Sequence, residues 1–488
     1  MEIRILDKSE ARKPGDVRIL PLLEGSMVGA TPEEEKILLT LGKEKIFRSK
    51  PSERYVTQIM ENRVYQKVVF VGVKPDDLVS FALAVGAGVK EAKKNKARSV
   101  EIILAGALAS LSHAERAARA CVLADYVFDK YKHPEEEDAI SHLEMVKLVV
   151  DSPLQGAGEA VQRAMVVAEA INLARDLVNE PANHLGPEEL AQAARTLADP
   201  YEELEVEILQ ERKIEALGME AFLAVAGASK RPPRFIILRY RGNPDLETFQ
   251  LGIAGKGITY DTGGLSIKSN EGMLTMKTDM GGAAATMATL EALARNRVKV
   301  NVVGVVAACE NAVGDGNYRP GDILGSMKKK SIYVANTDAE GRLTLADAVT
   351  YLDQVEKVER IVDIATLTGA AEVALGQTVM AALSTDDDFF ALAQKAMDET
   401  GEKLWRLPAF EEYKELIKTE EADLSNSGGR YAGAITAGLF VGEFTGGRPW
   451  IHLDIAGPSY TEKPNALQQK GATGSGVDIL YHVAASLA

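Results

Sequence analysis

The chain has 488 residues, 46% hydrophobic and 26% charged, a balance that excludes a disordered or fibrous protein and leaves room for two domains with sizeable cores. Lys and Arg number 56 against 71 Asp and Glu, a formal charge of −15, so the average surface repels nucleic-acid phosphates and anionic lipid. Only two cysteines occur, Cys121 and Cys309. Together with a charged N-terminal stretch and no apolar run of about 18 residues, they argue against a disulfide framework or a membrane span and for a reducing, cytoplasmic setting.

The first part alternates β-rich and helical runs: "KVVFVGV" (67–73), the Ala-rich "LVSFALAVGAGVKEAKKN", "SVEIILAG" (99–106) and "SHAERAARACVLADYVFDKY". This pattern predicts a smaller N-terminal α/β domain over 1–156. Composition turns polar and acidic around "KHPEEEDA". The next segment, "AGEAVQRAMVVAEAINLARDLVN" (157–179), has apolar residues at helical spacing and reads as a linking helix, stopped by the Asn and Pro residues of "NEPANHLGPEEL". From 180 to 488, strand-like runs ("RFIILRY", "FQLGIAG", "VNVVGVVAA", "RIVDIATL", "WIHLDIAG") alternate with helices such as "AAATMATLEALARN". The predicted architecture is a larger α/β domain with a central, mostly parallel sheet flanked by helices.

Ligands of such sheets bind at the carboxyl ends of the strands, and two strand-to-loop junctions here are rich in charge. "AGKGITYDTGGLSIKSNEGMLTMKTDMGGAA" (254–284) carries Lys256, Asp261, Lys268 and Asp279, and "VANTDAEGRLTLADA" (334–348) carries Asp338, Glu340 and Arg342. The glycines of the first do not form a dinucleotide fingerprint, because Tyr260 stands where its third glycine belongs. They do not form a phosphate loop either, because Gly255-Lys256 is followed by Gly257 rather than Ser or Thr. Four carboxylates crowded together repel unless cations compensate, and a pair of divalent metals sharing carboxylates is one economical compensation; a structural ion-pair network is the plainer alternative. The six histidines, at 113, 133, 142, 184, 452 and 482, form no metal-binding pattern. His184 reads as a loop residue and His452 as a packed core residue. Alternation in an extended segment predicts that Asp338, Glu340 and Arg342 share one face, with a helix starting at "TLADAV" and Gly341 leaving room opposite.

"NTDAEGRL" (336–343), "GKGITYDTGG" and "MKTDMGGAA", with "NEPANHLGPEEL", "RPGDIL", "ATLTGA" and "WIHLDIAG" in order over 176–488, resemble the leucyl aminopeptidase, or cytosol aminopeptidase, family of dinuclear-metal peptidases. The resemblance implies that Lys256, Asp261, Asp279 and Glu340 hold one metal and Asp261, Asp338 and Glu340 the other. The ions would be Mn²⁺ or Zn²⁺ first, Co²⁺ or Mg²⁺ next. Lys256 must be neutral to ligate, against a reference pKa near 10.4. By the same resemblance, a water or hydroxide held by the metals would attack the scissile carbonyl and one metal would receive the free α-amine. The resemblance implies that Lys268 stabilises the developing oxyanion. Arg342 cannot be a base, and is implied to grip a bicarbonate that shuttles the proton.

The resemblance further places Met276 on the wall of an apolar specificity pocket, favouring leucine and similar residues, and the backbone around Leu367 and Gly369 at the substrate and anion contacts. It implies peptide substrates with a free N-terminus and a homohexamer. Two other readings are weighed: a different two-metal hydrolase, and an additional DNA-binding role for the basic run Lys90, Lys93, Lys94, Lys96 and Arg98, whose bland reading is a solvated helix face.

Overall fold

The computed structural model describes residues 1–8, 15–61, 64–133 and 142–488; most of the acidic "KHPEEEDA" run lies outside them. Chain contacts divide the protein into two units, Met1–Glu169 with Lys463–Lys470, and Ala170–Glu462 with Gly471–Ala488. The helix at 157–179 therefore belongs partly to each.

The first unit contains strands β1 (Glu2–Asp7), β2 (Val17–Leu23), β3 (Arg54–Glu61), β4 (Val64–Val73), β5 (Ser99–Leu104) and β6 (Met145–Val150), and helices α1 (Pro32–Lys43), α2 (Leu78–Lys94) and α3 (Leu111–Asp125). Its sheet has the order β1-β6-β5-β2-β4-β3, parallel except for β3 against β4. Val69, Val71, Ile102 and Val146 pack with Phe81, Val85 and Ala117 in one core, while Leu20, Leu22, Val68 and Phe70 pack with Leu38 and Leu41 in another. Burial on both sides of the sheet explains the near-continuous apolar strands. The basic end of α2 is compensated: Lys93 pairs with Asp125, Lys94 with Glu91, Arg98 with Glu144, and Lys90 donates to the carbonyls of Asn465 and Gln468.

In the second unit the strands are β7 (Leu204–Leu209), β8 (Arg234–Arg241), β9 (Leu251–Asp261), β10 (Asn301–Asn311), β11 (Ile323–Leu324), β12 (Ile332–Tyr333), β13 (Ile361–Ala365), β14 (Val379–Ser384), β15 (Lys403–Arg406), β16 (Leu424–Ser425), β17 (Trp450–Asp454), β18 (Tyr460–Thr461) and β19 (Gly471–Ala472). The helices are α4 (Ala157–Asn179), shared between the units, α5 (Pro187–Ala198), α6 (Glu211–Ala216), α7 (Glu220–Ala226), α8 (Asn270–Met273), α9 (Gly281–Arg295), α10 (Gly341–Gln354), α11 (Gly369–Leu375), α12 (Asp387–Thr400), α13 (Glu411–Lys414), α14 (Gly433–Gly442) and α15 (Val477–Ala485). The sheet order is β15-β14-β17-β13-β9-β10-β8-β7, and its four central strands, β17, β13, β9 and β10, run parallel. β9 and β10 are buried almost end to end, as both-sided helical cover requires. α9 docks so closely that a Cβ on Gly282 would stand 2.0 Å from the carbonyl oxygen of Ile364 on β13. Helix, central strands and the loops at their carboxyl ends are thereby fixed to one another. No helix among the described residues is long and apolar enough to cross a membrane.

His452 is a core residue. It is fully buried on β17 with Nδ1 2.6 Å from Asp363 Oδ1, and Trp450 Nε1 donates to the other oxygen at 2.6 Å. His184 lies in the exposed turn before α5.

α10 is buried along its first three turns, and Asp347 anchors it. The carboxylate accepts the N–H of Phe222 on α7 at 2.9 Å and of Met327 at 2.8 Å. Asp347→Asn turns one acceptor into a donor facing an N–H, and should destabilise the protein by about 2–3 kcal/mol in urea unfolding; an unchanged midpoint would show that the anchor contributes nothing.

Candidate active site

Lys256 and Asp261 lie five residues apart on β9, which in an unbroken strand sends them to opposite faces. A bulge resolves the conflict. Cys309 on β10 pairs with Ile258 and Glu310 with Tyr260, so Thr259 is an extra residue on β9. Such an insertion re-aims the side chains beyond it, and Lys256 and Asp261 reach one site. Asn311, opposite Asp261 in the ladder, donates its amide to Asp261 Oδ1 at 2.8 Å.

The loop after β9 returns Lys268 to the strand end, its Nζ 2.8 Å from Asp261 Oδ2 and 2.5 Å from Asp338 Oδ1. A 3-10 helix, Met276–Met280, then delivers Asp279. Asp279 Oδ1 accepts from Lys256 Nζ at 2.7 Å and from the Thr366 hydroxyl at 2.8 Å, and the Thr366 carbonyl accepts from Lys256 Nζ at 2.9 Å. Glu340 Oε1 lies 2.8 Å from Lys256 Nζ.

"NTDAEGRL" departs from the extended segment that its alternation predicts. Residues 337 and 338 form a turn, closed by the Asp338 N–H donating to Asn336 Oδ1 at 2.9 Å. Glu340 has helical φ and ψ of −76° and −38°, and α10 begins at Gly341 rather than at Thr344. Asp338 and Glu340 still converge, and Arg342, in the first turn of α10, tilts back toward the helix N-terminus and so toward both of them. Gly341 does not leave space opposite, as alternation suggests; it makes room for a ligand candidate. A Cβ there would stand 2.3 Å from Lys256 Cε and 2.7 Å from its Nζ.

The electrostatics are those of crowded negative charge. Burial pushes the carboxyls of Asp279, Glu340 and Asp338 above their ordinary range, with Asp261 adding repulsion at each and the lysines opposing it. Burial pulls Lys256 and Lys268 down, but the surrounding carboxylates outweigh it and hold both ammoniums above their usual value. Burial also draws Arg342 down to about 10. Its NH1 donates to the carbonyl of Asn426 at 2.7 Å, and its buried Nε has no hydrogen-bond partner among the described residues.

Single oxygens of Asp261, Asp338 and Glu340 lie within 4.8 Å of one another. Asp279 Oδ2 and Glu340 Oε2 are buried without hydrogen-bond partners among the described residues. Hard oxygen donors converging in excess of the two ammoniums beside them fit divalent cations.

Met276 is half-buried at the start of the helix that carries Asp279. Leu367 packs partly into the core with its N–H committed to Asp454 Oδ1 at 3.1 Å, and Gly369 opens α11 with open space where a Cβ would stand. A cavity of about 420 Å³, bordered by Tyr260, Lys277 and Asn311, adjoins the site on the Asn311 side. Sequence reasoning missed Thr366, Asn311, Thr337 and Asn426. Asn311 was within reach of it, ending the strand that neighbours Asp261; Thr337 and Thr366 stand inside the quoted motifs "NTDAEGRL" and "ATLTGA" but, being neutral, were passed over for the charged residues, and Asn426 is a neutral loop residue far along the chain.

The cytosol aminopeptidase catalytic-domain model matches residues 172–481, and the N-terminal-domain model of the same family matches 31–135. The chain belongs to the cytosol aminopeptidase family. It is a metal-dependent aminopeptidase of that family's kind, and the probable cytosol aminopeptidase of Clostridium perfringens is 42% identical over 476 residues, 96% of each chain. The corresponding protein of Alkaliphilus oremlandii is 38% identical over the full length of both. Among solved structures, a mutant tomato leucine aminopeptidase matches with a TM-score of 0.88 at 32% identity, covering 100% of this chain and 96% of its own. The bottromycin maturation enzyme BotP in complex with Mn matches at 0.85 and 31%, covering 97% and 99%.

Gly341→Ala should drive Lys256 off Asp279 and Glu340 and reduce peptidase activity at least tenfold, with the folded structure retained by circular dichroism. Activity within twofold of the parent would show that the close approach is dispensable.

Proposed function

We propose that this aminopeptidase releases N-terminal residues, leucine and other apolar ones first, from peptides with a free N-terminus in the cytoplasm, and works as a homohexamer with two divalent ions per subunit, Mn²⁺ or Zn²⁺ ahead of Co²⁺ or Mg²⁺. The observation that carries the reading is the convergence of Lys256, Asp261, Asp279, Asp338 and Glu340 on one buried site, with Lys268 and Arg342 at its edge. Lys256, Asp261, Asp279 and Glu340 would hold one ion, and Asp261, Asp338 and Glu340 the other. When bound, the ions supply an acidified water and an anchor for the substrate's α-amine.

The remaining work belongs to the chain. Lys268, held protonated by its carboxylate neighbours and about one-fifth exposed, is available to a developing oxyanion, where a fixed cation is worth far more than in water. Arg342 stays charged at neutral pH, and its unpartnered Nε leaves donor capacity for a planar anion; bicarbonate gripped there would accept the proton from the attacking water. Lys256 must surrender its proton to become a ligand. Met276 would wall the pocket for the first side chain, an adaptable apolar surface suited to leucine, with Leu367 and Gly369 at the substrate backbone.

Leu-p-nitroanilide hydrolysis should disappear on full chelation and return with Mn²⁺ or Zn²⁺, and an N-acetylated peptide should resist; activity that survives metal removal would refute the reading. Asp338→Asn with Glu340→Gln should abolish turnover, and Lys268→Ala should lower kcat about 10²–10³-fold. Calorimetric Mn²⁺ titrations in buffers of different ionisation enthalpy should show proton release near pH 7, because Lys256 starts protonated; Lys256→Met should release one proton fewer.

A further inference from the structure

Asn426 is fully buried, and its side chain spends its whole hydrogen-bonding capacity on the site's loop. Its side-chain oxygen accepts the N–H of Ala335 at 2.8 Å and of Asn336 at 3.2 Å, and its amide donates to the carbonyls of Asn336 at 2.7 Å and Ala339 at 3.4 Å. Its own N–H donates to the Tyr333 carbonyl at 2.9 Å, and its own carbonyl accepts Arg342 NH1 at 2.7 Å. The setting is a short parallel pairing of β12 with β16, Ile332 opposite Leu424 and Tyr333 opposite Ser425. Where the two backbones part, the Asn426 side chain takes over and continues the ladder along residues 335 and 336. An amide is the side chain with the right chemistry, since its C=O and NH2 accept and donate as the C=O and N–H groups of neighbouring peptides do.

The segment that it braces carries Asp338 and Glu340, and the far side of the same turn is tied to the Lys268 loop. Thr337 Oγ1 donates to the Gly263 carbonyl at 2.7 Å and accepts the Ser266 N–H at 2.8 Å. The turn is thus clamped between two loops, and only Asn426 among these clamps also orients Arg342.

We propose that Asn426 is a positioning residue that sets, through one side chain and its own carbonyl, both the turn bearing Asp338 and Glu340 and the direction of the Arg342 guanidinium. This rests on the dinuclear reading of the site. Asn426 couples metal affinity to turnover without touching substrate. An amide with all its partners satisfied holds a loop in one conformation, and ligands displaced by about 1 Å lose both affinity and rate.

The test uses the full-length protein with Asn426→Ala, Asn426→Asp and Asn426→Ser. Mn²⁺ binding is read by calorimetry on the metal-free protein, kcat and KM on Leu-p-nitroanilide at saturating Mn²⁺, and fold by circular dichroism and melting temperature. Asn426→Ala should weaken Mn²⁺ binding at least tenfold and lower kcat at least tenfold at saturating metal, with KM within about threefold. Asn426→Asp keeps the acceptor but sets an oxygen against two carbonyls, and should not rescue. Trp450→Phe, which removes a buried hydrogen bond from the sheet core, serves as the control: it should lower the melting temperature and leave Mn²⁺ affinity and kcat near the parent's. Folded Asn426 variants with parental Mn²⁺ affinity and kcat would overturn the proposal, as would a Trp450→Phe protein that loses metal affinity equally. If Asn426→Ala does not fold, Asn426→Ser decides by the same two readouts. A parent protein that binds no Mn²⁺ would overturn the dinuclear reading itself, a result distinct from parental binding that the Asn426 variants leave unchanged.

Discussion

Everything at this site depends on concentrated negative charge in a place nearly closed to water. Asp261, Asp279 and Glu340 are buried, Asp338 is partly so, and carboxylates in that setting are stable only if cations meet them. The chain itself supplies Lys256 between Asp279 and Glu340, and Lys268 between Asp261 and Asp338. Two ammoniums do not neutralise four carboxylates, and the oxygens of Asp279 and Glu340 that have no hydrogen-bond partner among the described residues mark where charge remains. A site with that imbalance favours divalent ions over a closed salt-bridge network. The overall charge of −15 adds little to this, because the local separations are so short that screening and surface charge hardly enter.

Holding such a cluster is a backbone problem. The extra residue at Thr259 turns Asp261 to the side of Lys256. The absent side chain at Gly341 lets the stem of Lys256 pass against the start of α10, and the absent side chain at Gly282 lets α9 seat on β13. Each device is small, and each works because close-packed neighbours cannot yield. The neutral residues then fix orientation. Thr366 and Asn311 direct individual carboxylate oxygens, and Thr337 and Asn426 grip the intervening turn from either side. In a site where like charges repel, these hydrogen bonds resist the outward movement that repulsion would otherwise produce.

Much of the larger unit was legible in the chain. The apolar runs at 234–240, 300–308 and 450–457 coincide with strands, and the Ala-rich run at 283–296 with a helix, because both-sided burial imposes composition directly on the sequence. The charged residues stood out for the opposite reason, as titratable groups inside otherwise apolar or glycine-rich segments. The alternation over 338–342 reads as extended, whereas the chain turns at 337 and 338 and enters α10 at Gly341. Alternating charge is consistent both with a strand and with a turn entering a helix, and only the side-chain amide of Asn336 closing on Asp338 distinguishes them. His452 was legible as core, since a lone histidine in a strand with apolar alternation has nowhere else to go.

The sequence by itself determined the inventory: which carboxylates, lysines and arginine stand near the strand-to-loop junctions, since composition is a local property. Only the tertiary structure decided that Lys256 and Asp261 share a face, that Gly341 is a passage for Lys256, and that Asn426, 84 residues beyond Arg342, holds its guanidinium. These depend on ladder register, on contact distances of a few ångströms and on neutral side chains paired across long stretches of chain. No periodicity records such pairings, because their energies arise only once the strands are in place.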